Sequence, residues 1–296
     1  MSVAKKSVFV VAGLALAVTA HAQYSTGFEQ PTFIGSALGT ALSPAGSAVP
    51  PGLPNLGQGG WYNPNATGIA QNVYTYTGNA LGLAPNPTGG DQFIGMTSGG
   101  GSLFPRGQIS HASFSADVWT VAYDFAANWR GTGASAPNLS SFSIAHDTIA
   151  AGSFRQFIAL NNFMDLNNPA LGWKAEYNIF SAAGAALNNQ SPGAAWTNLI
   201  NTHWYRQSTT FSLATNQILS VEIADLSVGG STSANPVGWF MTGGSASTLA
   251  LPNAVRFFEG GAAGNTMGWD NLNIVPAPGT LALLGLGGLV TARRRR

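Results

Sequence analysis

Alternation of apolar and polar residues governs the fold open to this chain. Across residues 171–179, from Leu171 to Ile179, every second residue is apolar, and glycine, lysine, glutamate and asparagine stand between them. A period of two places the apolar side chains on one face of a β-strand. The same pattern recurs at residues 119–125 and 219–223. We therefore predict a chain built from strands that each bury one face.

Shorter apolar runs separated by glycine, proline and asparagine clusters predict the remaining strands. These runs lie at residues 73–77, 93–96, 142–144, 154–160, 205–213, 237–241, 254–258 and 272–275. About a dozen strands with no helices between them indicate an all-β fold, an antiparallel β-sandwich or jelly roll. Residues 191–200 are predicted to form a short helix. Residues 35–60, rich in Gly, Pro and Ala, are predicted to form a long surface loop.

The N-terminus has the organisation of a secretory signal peptide. Lys5 and Lys6 precede an apolar block at residues 8–18, and Ala20 and Ala22 occupy the small-residue positions of a cleavage site. Residues 1–22 are therefore predicted to be removed by signal peptidase after export through the general secretion machinery. The alternative, a membrane anchor, is disfavoured because the apolar block is brief.

The C-terminus has three distinct parts. Pro276 and Pro278 interrupt helix formation, an apolar run follows at residues 279–292, and the chain closes with Arg293, Arg294, Arg295 and Arg296. The run would extend about 21 Å as a helix against roughly 30 Å of hydrocarbon, which predicts a short, transient transmembrane helix. Lysines at one end and arginines at the other both belong on the cytoplasmic side, so the body should lie outside the inner membrane.

This tail, residues 276–296, resembles the PEP-CTERM sorting signal of Gram-negative bacteria. That signal combines a Pro-Glu-Pro motif, a short membrane helix and a basic cluster. Ala277 stands where the family has glutamate. The resemblance implies an exosortase-type processing protease as partner and a location at the cell surface or in the extracellular matrix. The alternative is a basic tail on a soluble protein.

The remaining body, residues 23–275, is mildly acidic. Six of the twelve Lys and Arg residues lie in the two end segments, and all eleven acidic residues lie between them, which gives the body a formal net charge of −5. With no basic run, nucleic acid is not expected as a partner. The chain has no cysteine, which excludes disulfides, thiolate zinc sites and cysteine nucleophiles.

Three stretches of the body are similar to the concanavalin-like lectin and glucanase fold. They are residues 27–31 (Gly-Phe-Glu-Gln-Pro), 59–62 (Gly-Gly-Trp-Tyr) and 268–274 (Gly-Trp-Asp-Asn-Leu-Asn-Ile). The resemblance implies a secreted protein associated with exopolysaccharide, or otherwise carbohydrate-binding, and transfers no specific site.

Sugar sites combine aromatic faces with amide and charged side chains, and two places beside turn signals offer both. The candidate ligand-facing residues are Trp61, Tyr62 and Asn63 in one place and Trp129 and Arg130 in the other. Trp119 and Trp173 lie in apolar strand faces and are expected in the core.

The sequence also offers two candidate calcium sites, since Ca²⁺ accepts carboxylate and carbonyl oxygens. Glu29 and Asp270 would meet if the first and last strands pair. Asp165, Asn167 and Asn168 form a second oxygen-rich segment. The alternative for each is a turn capped by its own side chains.

Signatures of catalysis are weak. The chain has no Gly-x-Ser-x-Gly motif, and His111, His146 and His203 lack metal-ligand spacing. Residues 131–136 fit a dinucleotide fingerprint without its βαβ setting. Glu222 and Asp225 are three residues apart, on opposite faces of a regular strand, which does not suit a glycosidase pair. We expect a non-enzymatic protein; the alternatives are a cryptic glycoside hydrolase or lyase, and a purely structural matrix protein.

Overall fold

The computed structural model describes residues 24–44, 56–64, 71–98, 105–110, 114–115, 117–131, 137–260 and 263–277. The predicted signal peptide (1–22), Pro278, the apolar tail segment (279–292) and Arg293 to Arg296 lie outside these residues, as does His111. Their assignments stay predictions. No helix within the described ranges is long and apolar enough to cross a membrane.

The described residues form fifteen β-strands and three single-turn 3₁₀ helices. The strands are β1 (Tyr24–Thr26), β2 (Thr40–Ala41), β3 (Asn72–Thr75), β4 (Gln92–Thr97), β5 (Arg106–Ser110), β6 (Val118–Trp129), β7 (Asn138–Ala145), β8 (Ile158–Phe163), β9 (Trp173–Phe180), β10 (Ala186–Gln190), β11 (Trp204–Ser212), β12 (Gln217–Asp225), β13 (Ser231–Ala234), β14 (Ala254–Glu259) and β15 (Asn265–Pro276). The 3₁₀ turns are Gln58–Gly60, Pro169–Leu171 and Ala194–Trp196.

The strands pair in two antiparallel sheets. The larger has the order β13-β12-β11-β6-β15-β4-β3-β2, with β1 also paired to β15, and the smaller has the order β10-β9-β8-β7-β14-β5. Aromatic side chains of the two sheets meet in one core. Phe257 of the smaller sheet lies 5.5 Å from Tyr123 and 5.4 Å from Trp269 of the larger, between ring centroids. The predicted all-β antiparallel sandwich is confirmed.

Strand β15 is central to the larger sheet because it has three neighbours. One edge pairs with β6 along its length, and the other edge is shared, with β4 at Thr266–Trp269 and β1 at Leu272–Ile274. Between these two partners the register against β6 shifts, and Asn271 adopts a positive φ of 48°. Asparagine tolerates this left-handed conformation better than most residues. At this irregularity the Asn271 side chain donates a hydrogen bond to Asp124 of β6.

A long connection between β3 and β4, residues 76–91, folds over the outer face of the larger sheet. Its apolar side chains pack with strand residues in a second cluster of buried side chains: Tyr74, Tyr76, Leu81, Leu83, Phe93, Ala126 and Trp204. The connection is also held by polar contacts, since Trp204 Nε1 donates to the carbonyl of Ala84 at 2.8 Å. The connection therefore covers part of the outer face of the larger sheet.

Several predicted boundaries are wrong in detail. In β12 the register shifts opposite Thr210, so Ile218 is buried in place of the expected Leu219. Such a bulge inserts one residue and moves the alternation to the other face. The predicted strand at 237–241 makes only isolated bridges at Phe240, and Val237 is 94% exposed. Leu171 lies in a 3₁₀ turn before β9, and its side chain is exposed.

Two predicted connections also differ from the structure. Residues 191–200 contain a single 3₁₀ turn, Ala194–Trp196, because Trp196 is drawn into the core. Part of the predicted surface loop 35–60 is built into the fold. Strand β2 pairs with β3, and Leu42 is completely buried.

Candidate functional site

Three charged residues lie side by side on three neighbouring strands of the larger sheet. Asp124 of β6 is directly opposite Asp270 of β15 on one side and Arg206 of β11 on the other. Tyr123 and Phe125, the neighbours of Asp124, belong to the core between the sheets. Because strand side chains alternate between faces, Asp124 lies on the outer face. We call Asp124, Asp270, Arg206, Asn86, Thr88 and Asn271 the carboxylate cluster.

The carboxylate of Asp124 is enclosed by donors. Arg206 binds it with two hydrogen bonds, from Nε to Oδ1 at 2.7 Å and from Nη2 to Oδ2 at 2.9 Å. Oδ2 also accepts hydrogen bonds from Asn86 Nδ2, Thr88 Oγ1 and Asn271 Nδ2 at 2.8–3.0 Å. The paired carboxylate raises the pKa of Arg206. These hydrogen bonds to Asp124 therefore fix the positions of the Arg206, Thr88 and Asn271 side chains.

Asp270 has a different environment, although Asn86 Nδ2 contacts both carboxylates and lies 3.2 Å from Asp270 Oδ2. Burial raises the pKa of Asp270 to about 7, and the negative charge of Asp124 adds to this. Hydrogen bonds from Tyr76, from the Asn271 N–H and from Asn86 act in the opposite direction. Asp270 is completely buried, and it holds a proton more readily than an ordinary aspartate.

The connection 76–91 brings Asn86 and Thr88 to the cluster. An Asx turn orients them, since Asn86 Oδ1 accepts the Thr88 N–H at 3.1 Å. The next residue must be small, because a Cβ on Gly89 would lie 2.3 Å from Asp270 Oδ2. Gly90 is restricted in the same way, because a Cβ added to it would lie 2.3 Å from Glu29 Oε1. These two glycines allow the backbone to pass directly over the acidic groups.

A cavity of about 340 Å³ opens beside the cluster, between the connection 76–91 and strand β1. Its walls are mostly polar: Ser25, Thr26, Gly27, Thr88, Ala122, Arg206, Asn271 and Asn273. Asn273 Oδ1 is a buried acceptor without a hydrogen-bond partner. Buried acceptors are rarely left unpaired in folded proteins, so this oxygen is suited to bind a ligand donor.

The first group of predicted sugar-binding residues is wrong as a ligand-facing surface, because all three side chains are buried. Trp61 is 0%, Tyr62 1% and Asn63 0% exposed. Trp61 stacks on Phe257 with ring centroids 5.8 Å apart, and its Nε1 donates to the Tyr24 hydroxyl. The adjacent glycines, Gly59 and Gly60, belong to a 3₁₀ turn that directly precedes the buried Trp61.

Trp129 and Arg130, the second group, remain partly accessible. Trp129 is half-buried at the end of β6 and meets Phe163 edge-on. Arg130 is exposed, and its Nη1 donates to the carbonyl of Ala80. Their role as ligand contacts stays a prediction.

The expected meeting of the terminal strands occurs, since β1 pairs with β15. Glu29 Cγ and Asp270 Oδ1 both lie within 4 Å of the position that a Cβ on Gly27 would take. Asp165 instead caps its own turn, as its Oδ1 accepts the Asn167 N–H at 2.8 Å and its carbonyl accepts the Asn168 N–H. Within the described ranges no three His, Cys, Asp or Glu residues group together in a way that could hold a metal ion. Calcium at either place stays a prediction.

Glu222 and Asp225 of β12, and the two described histidines, His146 and His203, are separate from the cluster. Glu222 is exposed, whereas Asp225 pairs with His203 at 2.9 Å. Burial acts to raise the pKa of Asp225, but hydrogen bonds from His203 and two backbone N–H groups lower it overall. His146 accepts hydrogen bonds from the backbone of its own turn.

The first residues of the predicted sorting tail belong to the sandwich. Pro276 closes β15 opposite Trp119, and the Ala277 N–H donates to the Val118 carbonyl at 2.8 Å. The sheet thus continues just past the predicted boundary at residue 275.

No protein-family model matches the chain, and no curated protein matches it either. Some solved structures are similar to it at low TM-scores. Lectin II from Ulex europaeus is 12% identical with a TM-score of 0.38, over 62% of this chain and 86% of that one. A carbohydrate esterase from Shiga toxin-encoding bacteriophage phi24B is 11% identical with a TM-score of 0.42, over 88% and 100%. The VIP36 exoplasmic/lumenal domain, in a Ca²⁺/Man3GlcNAc-bound form, is 10% identical with a TM-score of 0.36, over 64% and 80%. Overlaps this loose transfer neither a site nor an activity.

Proposed function

We propose that this chain is an exported carbohydrate-binding protein whose ligand site is the cavity beside the carboxylate cluster. The observation that carries the proposal is the unpaired, buried Asn273 Oδ1 in the wall of that cavity. A sugar hydroxyl can donate to this oxygen and accept from a neighbouring amide or guanidinium at the same time. The polar walls provide both kinds of group within one enclosure.

Preorganisation supports the same proposal. Asn271 and Arg206 are both held by Asp124, and Thr88 is held by Asp124 and by its own Asx turn. Side chains fixed before binding lose little conformational entropy when a ligand arrives. The cluster therefore acts as a support for the wall of the cavity and need not contact the ligand itself.

The size and lining of the cavity indicate the kind of ligand. About 340 Å³ is at the lower end of the range for small-molecule sites, which suits one or two sugar units. The described residues that line it include no aromatic ring. Recognition would then rest on hydrogen bonds to hydroxyl groups, with Arg206 adding preference for an acidic sugar.

The test is a glycan array probed with the purified protein and two variants. Asn273→Ala removes the unpaired acceptor, and Asn235→Ala removes an exposed asparagine outside the cavity as a matched control. We expect one class of glycans to be retained by the wild type and by Asn235→Ala and lost by Asn273→Ala. Retention that is unchanged in Asn273→Ala would place the ligand elsewhere, with Trp129 and Arg130 as the next surface to test.

Glycoside hydrolysis is the second candidate, because Asp270 has a pKa of about 7 and faces the carboxylate of Asp124. A proton-bearing carboxyl beside an ionised one is what a glycosidase needs. Both carboxyl groups are, however, 0% exposed, and the carboxylate of Asp124 is already paired with Arg206. We therefore propose binding without turnover. Release of shortened sugars from a retained glycan, lost in Asp270→Asn, would favour the hydrolase.

We also propose that the protein is exported and that its C-terminal tail is processed, on the basis of the sequences of the two ends of the chain. The signal peptide, the proline motif and the arginine cluster support passage across the inner membrane and processing by an exosortase-type protease. A carbohydrate-binding body exported in this way would associate with surface exopolysaccharide. A purely structural matrix protein is the remaining alternative and would retain no glycan on the array.

A further inference from the structure

Two arginines share the outer face of the smaller sheet, on the opposite side of the sandwich from the cavity. Strand β14 buries Phe257 in the core, so Arg256 and Phe258 lie on the outer face. Strand β5 buries Ile109 in the core, and Arg106, three positions away, also lies on the outer face. Because β5 pairs with β14, the two arginines are on neighbouring strands.

The pairing of β5 with β14 sets the two arginines diagonally across from each other. Arg106 is directly opposite Phe258, and Arg256 is directly opposite Gln108. Diagonal neighbours of an antiparallel pair are about 7–8 Å apart, which long side chains can span. The guanidinium carbon of Arg106 lies 5.2 Å from the centroid of the Phe258 ring, and Arg256 Nε donates to Gln108 Oε1 at 2.6 Å. Each side chain thus reaches towards the strand of the other.

The charges of these two arginines are not compensated by the protein. Burial lowers the pKa of both, and the positive charge of Arg106 lowers the pKa of Arg256 further, although Tyr62 and Asp147 act in the opposite direction. Like charges have this effect at close range. All eleven acidic residues of the chain lie in the described ranges, and none forms an ion pair with Arg106 or Arg256.

Asp147 does not neutralise the arginines, because its carboxylate is already engaged. Its Oδ1 accepts hydrogen bonds from the Tyr62 hydroxyl and from Gln108 Nε2, and its Oδ2 accepts one from Ser110 Oγ at 2.6 Å. These contacts fix Gln108 between the acid and Arg256, and they leave the two guanidinium groups without a carboxylate partner.

Donors remain available on both guanidinium groups. Arg106 Nε is buried and has no hydrogen-bond partner, which is rare for a buried donor. Arg256 makes a single hydrogen bond with the described residues, the one to Gln108. Ser143 of β7 is directly opposite Arg256, and its hydroxyl shares the outer face because Phe142 belongs to the core. A negatively charged group with several acceptor atoms would satisfy these donors together.

We propose that Arg106 and Arg256 form a binding site for an oxyanion, namely a carboxylate or sulfate group. Guanidinium groups present their donors in a planar fork that matches such groups. The Phe258 ring supports the guanidinium of Arg106 from one side, and the Ser143 hydroxyl adds a further donor. The site lies on the other sheet from Asn273 and does not depend on the cavity or its ligand.

The experiment is titration calorimetry with sodium sulfate and with trigalacturonate, a carboxylate-bearing oligosaccharide, at constant ionic strength. The parent protein carries Asn273→Ala, so that binding at the cavity is weakened in every sample. We expect the parent to bind at least one of the two anions. Adding Arg106→Gln should weaken this binding by about tenfold or more, whereas adding Arg130→Gln, which removes an exposed arginine elsewhere, should not change it.

The two anions also distinguish the sources of the ligand. Binding of both in competition with each other would support one oxyanion site that free ions can fill. Binding of trigalacturonate alone would support the same site with the carboxylates of a polysaccharide as its ligand. If neither anion binds, or if the Arg106→Gln variant binds as the parent does, the proposal is wrong.

A thermal melt separates anion binding from a structural role of Arg106. Without added anion, Arg106→Gln should melt no lower than the wild type, because the substitution removes repulsion with Arg256. Sulfate stabilises folded proteins in general, so its effect is compared between variants. The rise in Tm on adding sulfate should be smaller in Arg106→Gln than in Arg130→Gln. A Tm that falls by several degrees in Arg106→Gln without added anion would identify Arg106 as a structural contact of Phe258 and overturn the proposal.

Discussion

Asp124 and Asp270 face each other across neighbouring strands β6 and β15, and one amide nitrogen, Asn86 Nδ2, donates to both carboxylates. Only Asp124 has an arginine partner, so the two acids have unequal environments. This inequality determines how stability should respond to pH and to substitution.

Asp270 should make the protein less stable as the pH rises. Its pKa is about 7 in the folded state and 3.8 as the reference value, so the folded state holds more protons between these values. The free energy of unfolding should therefore fall from about pH 4 to pH 7, by up to about 1.4 kcal/mol per pH unit. Glu259, whose pKa is also raised, adds to the same trend.

Urea unfolding of the wild type and Asp270→Asn at several pH values checks this. The variant should lose much of the slope, and Glu222→Gln, which removes an exposed carboxylate of the same sheet, should keep it. Stability that rises between pH 4 and pH 7 in the wild type would contradict the assigned environment of Asp270.

Arg206→Ala should be strongly destabilising, because it leaves the buried carboxylate of Asp124 without its charged partner. The Arg206 side chain is 38% exposed and three other donors to Asp124 remain, so the loss should be about 1–3 kcal/mol, below the figure for a fully buried pair. Arg130→Ala removes an exposed arginine and should cost less than about 1 kcal/mol. Urea unfolding measures both variants. An equal decrease in the free energy of unfolding would show that the ion pair of Arg206 with Asp124 does not stabilise the fold more than an exposed arginine does.

Trp61→Ala tests whether this tryptophan is part of the core. Removal of its buried ring should lower the free energy of unfolding by about 3–5 kcal/mol. Trp129→Ala, at a half-buried position, should cost less. A stable Trp61→Ala protein that fails only in glycan binding would restore Trp61 as a ligand contact.

The arginine cluster should be required for processing of the tail. Replacing Arg293, Arg294, Arg295 and Arg296 with serine should leave unprocessed protein in the producing cells, which intact-mass measurement can detect. Mature protein of unchanged mass would refute the sorting hypothesis, without consequence for the cavity.

The period-two pattern predicted the sandwich well because the apolar residues of each strand indicate, within that strand's own sequence, which face is buried. Strand β9 follows the predicted alternation from Trp173 to Ile179, apart from buried Glu176. Leu219 was misplaced because a bulge is set by the pairing with β11, which the local sequence does not contain. Val237 was misplaced because an apolar residue can lie in an exposed turn.

The candidate site was less accessible to sequence reasoning. Asp270 was noted, but its partner Asp124 is 146 positions away and appears as one polar residue within an apolar strand. That single acid on the outer face of a long central strand was the available signal. Trp61 was misread for the opposite reason, since its flanking glycines serve a turn that leads into the core.

The central claim, a sugar site at Asn273, is tested most directly by titration calorimetry with an oligosaccharide retained on the array. Asn273→Ala should bind it at least tenfold more weakly than the wild type, which corresponds to about 1.4 kcal/mol. Asn235→Ala should bind it with wild-type affinity. Equal affinity of all three proteins would contradict the proposed site.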